Sequence, residues 1–154
     1  MSIHSQKAKD LFLEGYNCAQ AVFCAFNDIT GLDFAVASKL SSSFGGGIGR
    51  LREVCGAVSG MCMVAGVLYG PAYPDDRQAK ADHYARIQEL TQRFREENSS
   101  IICRQLLGEK TVQDISSDPI PEVRTAQYYK KRPCAELVEC AARIMDEYIK
   151  ENPV

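Results

Sequence analysis

Apolar residues recur every three or four positions along most of this chain, a period that predicts helices. Ser5 to Glu14 reads as a short first helix stopped at Gly15. Asn17 stands where an N-cap belongs, before a second helix from Cys18 to about Asp28 that ends near Gly31. Asp33 caps a third, to about Leu40. The run Gly45-Gly46-Gly47-Ile48-Gly49-Arg50 cannot hold a helix, so a glycine-rich loop is expected there. It feeds a nearly uncharged helix from about Arg52 to Tyr69. The glycines inside that helix, Gly56 among them, suggest close approach of another backbone or of a cofactor.

The turn Gly70-Pro71-Ala72-Tyr73-Pro74 leads to the longest helix, Asp75 to about Asn98. Ile87, Leu90 and Phe94 form its apolar stripe, and Asp82 with Arg86 and Glu89 with Arg93 form i,i+4 ion pairs on its wet side. Ser99 and Ser100 cap a short helix through Cys103 to Leu107, closed by Gly108. Residues 109–131 are polar and read as a lid or as the cover of a short helix near Glu122 to Tyr129. Pro133 opens the last helix, to about Lys150, with Cys134, Val138, Ala141, Met145 and Tyr148 on one face. The expected fold is all-α: a compact single domain over residues 1–154, a bundle of about six to seven helices.

Composition changes this picture little. Hydrophobic residues make up 45% and charged residues 25%, as in ordinary globular proteins. A formal charge of −2 implies no basic surface, which argues against a nucleic-acid partner. The stretch Val54 to Tyr69 is too short for a typical membrane span, and Met1 to Lys7 has no apolar signal core. No membrane association and a cytoplasmic location are therefore expected.

The seven cysteines carry the chemistry. Cys18, Cys55, Cys103 and Cys134 fall where helices begin. There the helix dipole favours the thiolate, the form that attacks disulfides and binds metals. Arg50 and Arg52 add positive charge near Cys55, and Lys130-Lys131-Arg132 precede Cys134. Cys24, Cys62 and Cys140 lie deeper in helices and read as small core residues. Cys55, Ser59 and Cys62 point the same way, but two turns separate the two thiols by roughly 10 Å, too far for a disulfide. There is no C-x-x-C pair, so thioredoxin-type and zinc-ribbon sites are weakly supported. A site would have to be assembled by the fold. Four such thiolates could exchange disulfides as two dithiol pairs, or ligate an iron–sulfur cluster or zinc. His4 and His83 add little, and the glycine loop lacks the Lys-Ser/Thr of a P-loop.

The segments Gly15-Tyr16-Asn17-Cys18-Ala19, Phe44-Gly45-Gly46-Gly47 and Cys55-Gly56-Ala57-Val58-Ser59-Gly60, followed by Cys103 and Cys134, resemble the redox-active proteins named for the pattern C…GCAxxG…C…C. The chain reads Cys-Gly-Ala where the label has Gly-Cys-Ala, and Cys55 is taken as the motif cysteine. The resemblance implies that Cys18, Cys55, Cys103 and Cys134 are the functional set, catalytic or metal-ligating. Gly45, Gly46, Gly47 and Gly56 are the candidates for close approach to a cofactor. Three functions follow. The first is a thiol-based oxidoreductase with Cys55 as nucleophile, working on a partner protein or a small thiol or disulfide. The second is a four-cysteine metal or iron–sulfur module. The third is a non-catalytic helical interaction protein whose cysteines merely pack.

Overall fold

The computed structural model describes residues 1–108 and 115–154. Among them are nine α-helices: α1 (Ile3–Leu13), α2 (Cys18–Ala25), α3 (Asn27–Thr30), α4 (Phe34–Ser41), α5 (Gly56–Tyr69), α6 (Arg77–Asn98), α7 (Cys103–Leu107), α8 (Ala126–Lys131) and α9 (Cys134–Glu151). The all-α expectation holds. The described residues contain no β-strand beyond one isolated antiparallel bridge, Val54 to Ile102. Helix α8 starts a few residues later than the short helix expected near Glu122, behind the cap of Thr125. Of the polar stretch predicted as a lid, residues 109–114 lie outside the described residues.

Local chemistry sets most helix starts. The Ser2 side chain accepts from the Ser5 N–H at 3.2 Å to open α1, Asp33 caps α4 and Asp76 caps α6. Ser99 does not cap the next helix as expected. It ends α6 in a left-handed conformation, φ 73°, while the Ser100 hydroxyl accepts from the Ile102 N–H just before α7.

Helix α9 is the hub of the bundle and packs on α1, α2, α5 and α6; α2 lies between α1, α4 and α5. Phe12, Val22, Phe23, Phe26, Met61 and Phe94 are buried in one hydrophobic cluster with the inner face of α9. The stripe expected on α6 is real, with Leu90 and Phe94 fully buried and Ile87 at the edge. Of the two ion pairs expected on this helix, Glu89–Arg93 forms, and Arg93 also reaches Glu151 at 2.6 Å. Asp82–Arg86 does not. Arg86 turns inward to donate to the Tyr148 hydroxyl at 3.1 Å and stacks on Tyr69, and Asp82 accepts from Gln78 instead. A half-buried aromatic contact outweighs an exposed ion pair, worth only ~0.3–0.5 kcal/mol on a helix.

Candidate functional site

Three of the four cysteines stand at the first residue of a helix: Cys18 in α2, Cys103 in α7 and Cys134 in α9. At α2 the start is fixed reciprocally. The Asn17 side chain accepts from the Gln20 N–H at 2.9 Å, and the Gln20 side chain accepts from the Asn17 N–H at 3.0 Å. Cys55 differs. The helix expected from Arg52 begins only at Gly56, which leaves Cys55 as the N-cap residue of α5. Arg52 has φ 63°, a conformation no right-handed helix accepts, and Val54 is extended in its bridge. Across that bridge the Cys55 N–H donates to the Ile101 carbonyl at 2.8 Å, and the Cys103 N–H donates to the Glu53 carbonyl at 2.6 Å. One short ladder thus fixes the entries to α5 and α7 together.

The glycine-rich loop is a left-handed coil. Gly46, Gly47, Ile48, Gly49 and Arg50 all have positive φ. Most of the four glycines singled out from the sequence are filled by the protein itself. A Cβ on Gly45 would lie 2.4 Å from the Asn17 side chain, and one on Gly47 would lie 2.6 Å from the Glu53 nitrogen and 2.8 Å from the Cys103 Cβ. A Cβ on Gly56 would lie 2.4 Å from the Cys18 sulfur. Gly46 and Gly56 border the open space beside the thiols.

That space is a cavity of about 70 Å³, and Cys18, Cys55, Cys103 and Cys134 all line it. Arg52, Arg124 and Arg132 complete its polar wall, with Tyr128 beside them. The Arg52 guanidinium approaches the Cys103 sulfur at 3.8 Å. Sequence reasoning missed Arg124 and Tyr128. Arg124 donates to the carbonyls of Phe12 and Tyr16 and lies over the Phe12 and Tyr128 rings. The only trace of this in the sequence is a run of basic and aromatic residues in the polar stretch before α9.

The other three cysteines stay away from this cavity. Cys24 is in the core beside Ser41, and burial pushes its thiol up. Cys140 accepts from Asn98 at 3.4 Å on the outer face of α9. Cys62 borders a separate apolar groove with Ser59 and Met63, and burial pushes its thiol up to about 11. The alignment of Cys55 with Cys62 along α5 does not bring the two thiols to one place.

At Cys55, Cys103 and Cys134 burial works against the low-pKa thiolates expected from their helix starts. Cys55 is pushed well above the ordinary thiol value, first by burial and then by the charges of Cys18, Cys134 and Cys103; the Ala57 N–H in the first turn of α5 opposes this. Cys134 is pushed up to about 12 by burial and by Cys18. Cys103 is raised by burial, with Arg52 acting against it. The helix-end effect is about half an elementary charge, and loss of hydration exceeds it in a closed cavity. Among the cysteines, Cys18 acts most strongly on each of the other three. It is only partly buried, as is Cys134.

No group of three or more His, Cys, Asp or Glu side chains among the described residues is placed to hold a metal ion. The four thiols share the cavity wall with three arginines, whose charge disfavours a bare cation there.

Residues 16–148 match the model of the family described as "Putative redox-active protein (C_GCAxxG_C_C)". The chain belongs to this family. Searches of curated proteins and of solved structures give no match. One steric constraint bears on the motif. A side chain at position 56 would run into the Cys18 sulfur, so Gly56 is where a glycine must stand and Cys55 is where the thiol fits.

Proposed function

We propose that this family member works by thiol–disulfide exchange between Cys18 and Cys55, with Cys103 and Cys134 as a second dithiol in the same cavity. The observation that carries this reading is the convergence of four cysteines, from four separate helix starts, on one cavity with Cys18 as the shared neighbour. The sequence alone suggested Cys55 as nucleophile. Its burial, at 6% exposure, and its raised pKa favour the reverse order. Cys18 is more accessible, and the N-terminal ends of both α2 and α5 meet at its sulfur.

In this scheme the Cys18 thiolate attacks one sulfur of a substrate disulfide. An S–S bond forms to Cys18, and the other substrate sulfur leaves as a thiolate that takes a proton from water. Cys55 then loses its proton to the solvent and attacks the Cys18 sulfur. The second substrate half leaves as a thiol. The substrate disulfide gains two electrons, and the protein is left with a Cys18–Cys55 disulfide, which an external dithiol reduces. All seven cysteines are free thiols in the structure, the form suited to the reducing cytoplasm that we propose as its compartment. No helix among the described residues is long and apolar enough to cross a membrane.

The test uses anaerobically purified, reduced protein incubated with glutathione disulfide, then peptide mass spectrometry. A Cys18–Cys55 linkage that disappears in Cys18→Ser and Cys55→Ser, and persists in Cys24→Ser, is expected. Exchange at an unchanged rate in Cys18→Ser would sink the scheme. Iron and acid-labile sulfide in cluster proportions in the same preparation would replace it with a cluster-binding function.

A further inference from the structure

Arg52 is almost wholly buried, at 2% exposure, yet its guanidinium is incompletely satisfied. Nε donates to the Ser116 carbonyl at 3.0 Å and Nη1 faces the Cys103 sulfur, while Nη2 is buried with no hydrogen-bond partner. A buried cationic donor left unpaired is costly and calls for an acceptor. Arg50 and Arg52 both have positive φ, at 68° and 63°, a costly conformation that persists only where the surrounding structure fixes it.

Arg52 borders a second cavity of about 110 Å³, which Arg50, Arg124 and Arg132 also line. One water needs roughly 10–15 Å³ of such space, so a multi-atom ion fits. Among the described residues of this wall Glu122 is the one carboxylate, paired with Arg132 at 2.9 Å, and the charge of Asp118 acts on Arg50 from nearby. Arg50 and Arg124 donate to carbonyls, which satisfies their N–H groups without cancelling charge. The cluster repels itself: Arg50 is held below the usual guanidinium value by burial and then by the charges of Arg52 and Arg132.

We infer that this cavity binds a small divalent oxyanion of the size and charge of sulfate, with Arg52 as its central donor. The planar fork of a guanidinium matches oxyanion geometry, and Arg50, Arg52 and Arg124 set against the nearby Asp118 leave a positive surplus that a dianion neutralises. Asn17, Gly46, Arg52, Arg124, Tyr128 and Arg132 border both this cavity and the thiol cavity. A substrate anchored here by its oxyanion end presents its remaining atoms to the cysteines. That last step rests on the thiol reading above, and the binding site itself does not.

Titration calorimetry of the reduced full chain with sodium sulfate, against sodium chloride at equal ionic strength, tests the inference. Saturable one-to-one sulfate binding is expected, weakened at least about tenfold in Arg52→Met and severalfold in Arg50→Gln. Cys18→Ser is expected to keep the sulfate affinity while losing disulfide exchange, so the two proposals fail separately. Absence of saturable binding beyond the chloride control overturns the inference, as does an unchanged affinity in Arg50→Gln and Arg52→Met. If circular dichroism shows that Arg52→Met does not fold, Arg50→Gln and Arg124→Gln carry the test, and unchanged affinity in both overturns it.

Discussion

The sulfur of Cys18 occupies the place where a side chain at Gly56 would begin: a Cβ built there lies 2.4 Å from it. The first residues of α2 and α5 therefore meet with only the Cys18 side chain between them. Gly56→Ala is expected to destabilise the protein by about 1–3 kcal/mol, the usual range for overpacking a tight site. Gly66→Ala, in the same helix with no atom within 4 Å of its added methyl, is expected to stabilise by up to about 1 kcal/mol. Urea denaturation of the two variants measures both signs. Combining Gly56→Ala with Cys18→Ala should recover only part of the loss, since the Phe44 carbonyl remains 2.9 Å away.

The buried thiols make a prediction at alkaline pH. Cys55 and Cys134 lie above the unfolded thiol value of 9.0 when the chain is folded, Cys134 at about 12. The folded state holds their protons more tightly, so this contribution is whole below pH 9 and is lost as pH rises toward about 12. Melting temperature should fall across that window, with a shallower slope in Cys134→Ala. At pH 7, timed alkylation read by peptide mass spectrometry should label Cys18 before Cys55 and Cys134. The reverse order would remove Cys18 from the leading role.

His4 makes a prediction on the acid side. Its ring stacks on Phe26 at 4.3 Å and bonds Asp146 at 2.6 Å and Asp28 at 3.0 Å, joining α1 to α9 and α3. The hydrogen bond to Asp146 raises its pKa above 6.5, against burial and with help from Asp28. Burial pushes the Asp146 carboxyl up, but His4 outweighs it and the carboxyl ends below 3.8. The His4 contribution is whole below pH 6.5 and lost as pH climbs through the raised value. The Asp146 contribution is present above pH 3.8 and lost as pH falls through the lowered one. A pH series of melting temperatures should show both limbs, and His4→Gln should flatten them at a cost of about 1.5–3 kcal/mol.

The stripe on α6 allows a packing test. Leu90→Ala and Phe94→Ala, both at positions of 0% exposure, are expected to cost about 2–5 kcal/mol in chemical denaturation. Ile87→Ala, at the edge of the cluster, should cost clearly less.

Much of the fold was legible because local rules and tertiary packing agree in this chain. Asn17 and Asp33 are caps whose side chains reach the first turn they precede. The start of α5 was not legible. Its delay to Gly56 depends on Ile101 and Ile102, distant in sequence, whose backbone takes residues 53–55 into a bridge. The helix starts singled out four cysteines in the sequence, and the structure puts all four around one cavity. Their protonation was not readable. Helix ends are local features, whereas burial depends on Arg124, Tyr128 and α9 closing over the thiols from the far end of the chain. Gly45 and Gly47 hid in the same way: a glycine signals close approach but does not say whether the approaching atom is a ligand or, as here, Asn17 and Cys103.

Because α9 both supplies Cys134 and packs on α1, α2, α5 and α6, the cavity has no fourth wall until the last helix has docked. A chain emerging from synthesis exposes Cys18, Cys55 and Cys103 long before it can enclose them. The shared cavity thus forms only once α9 is in place, and a product truncated before α9 would carry Cys18, Cys55 and Cys103 and none of the enclosed site.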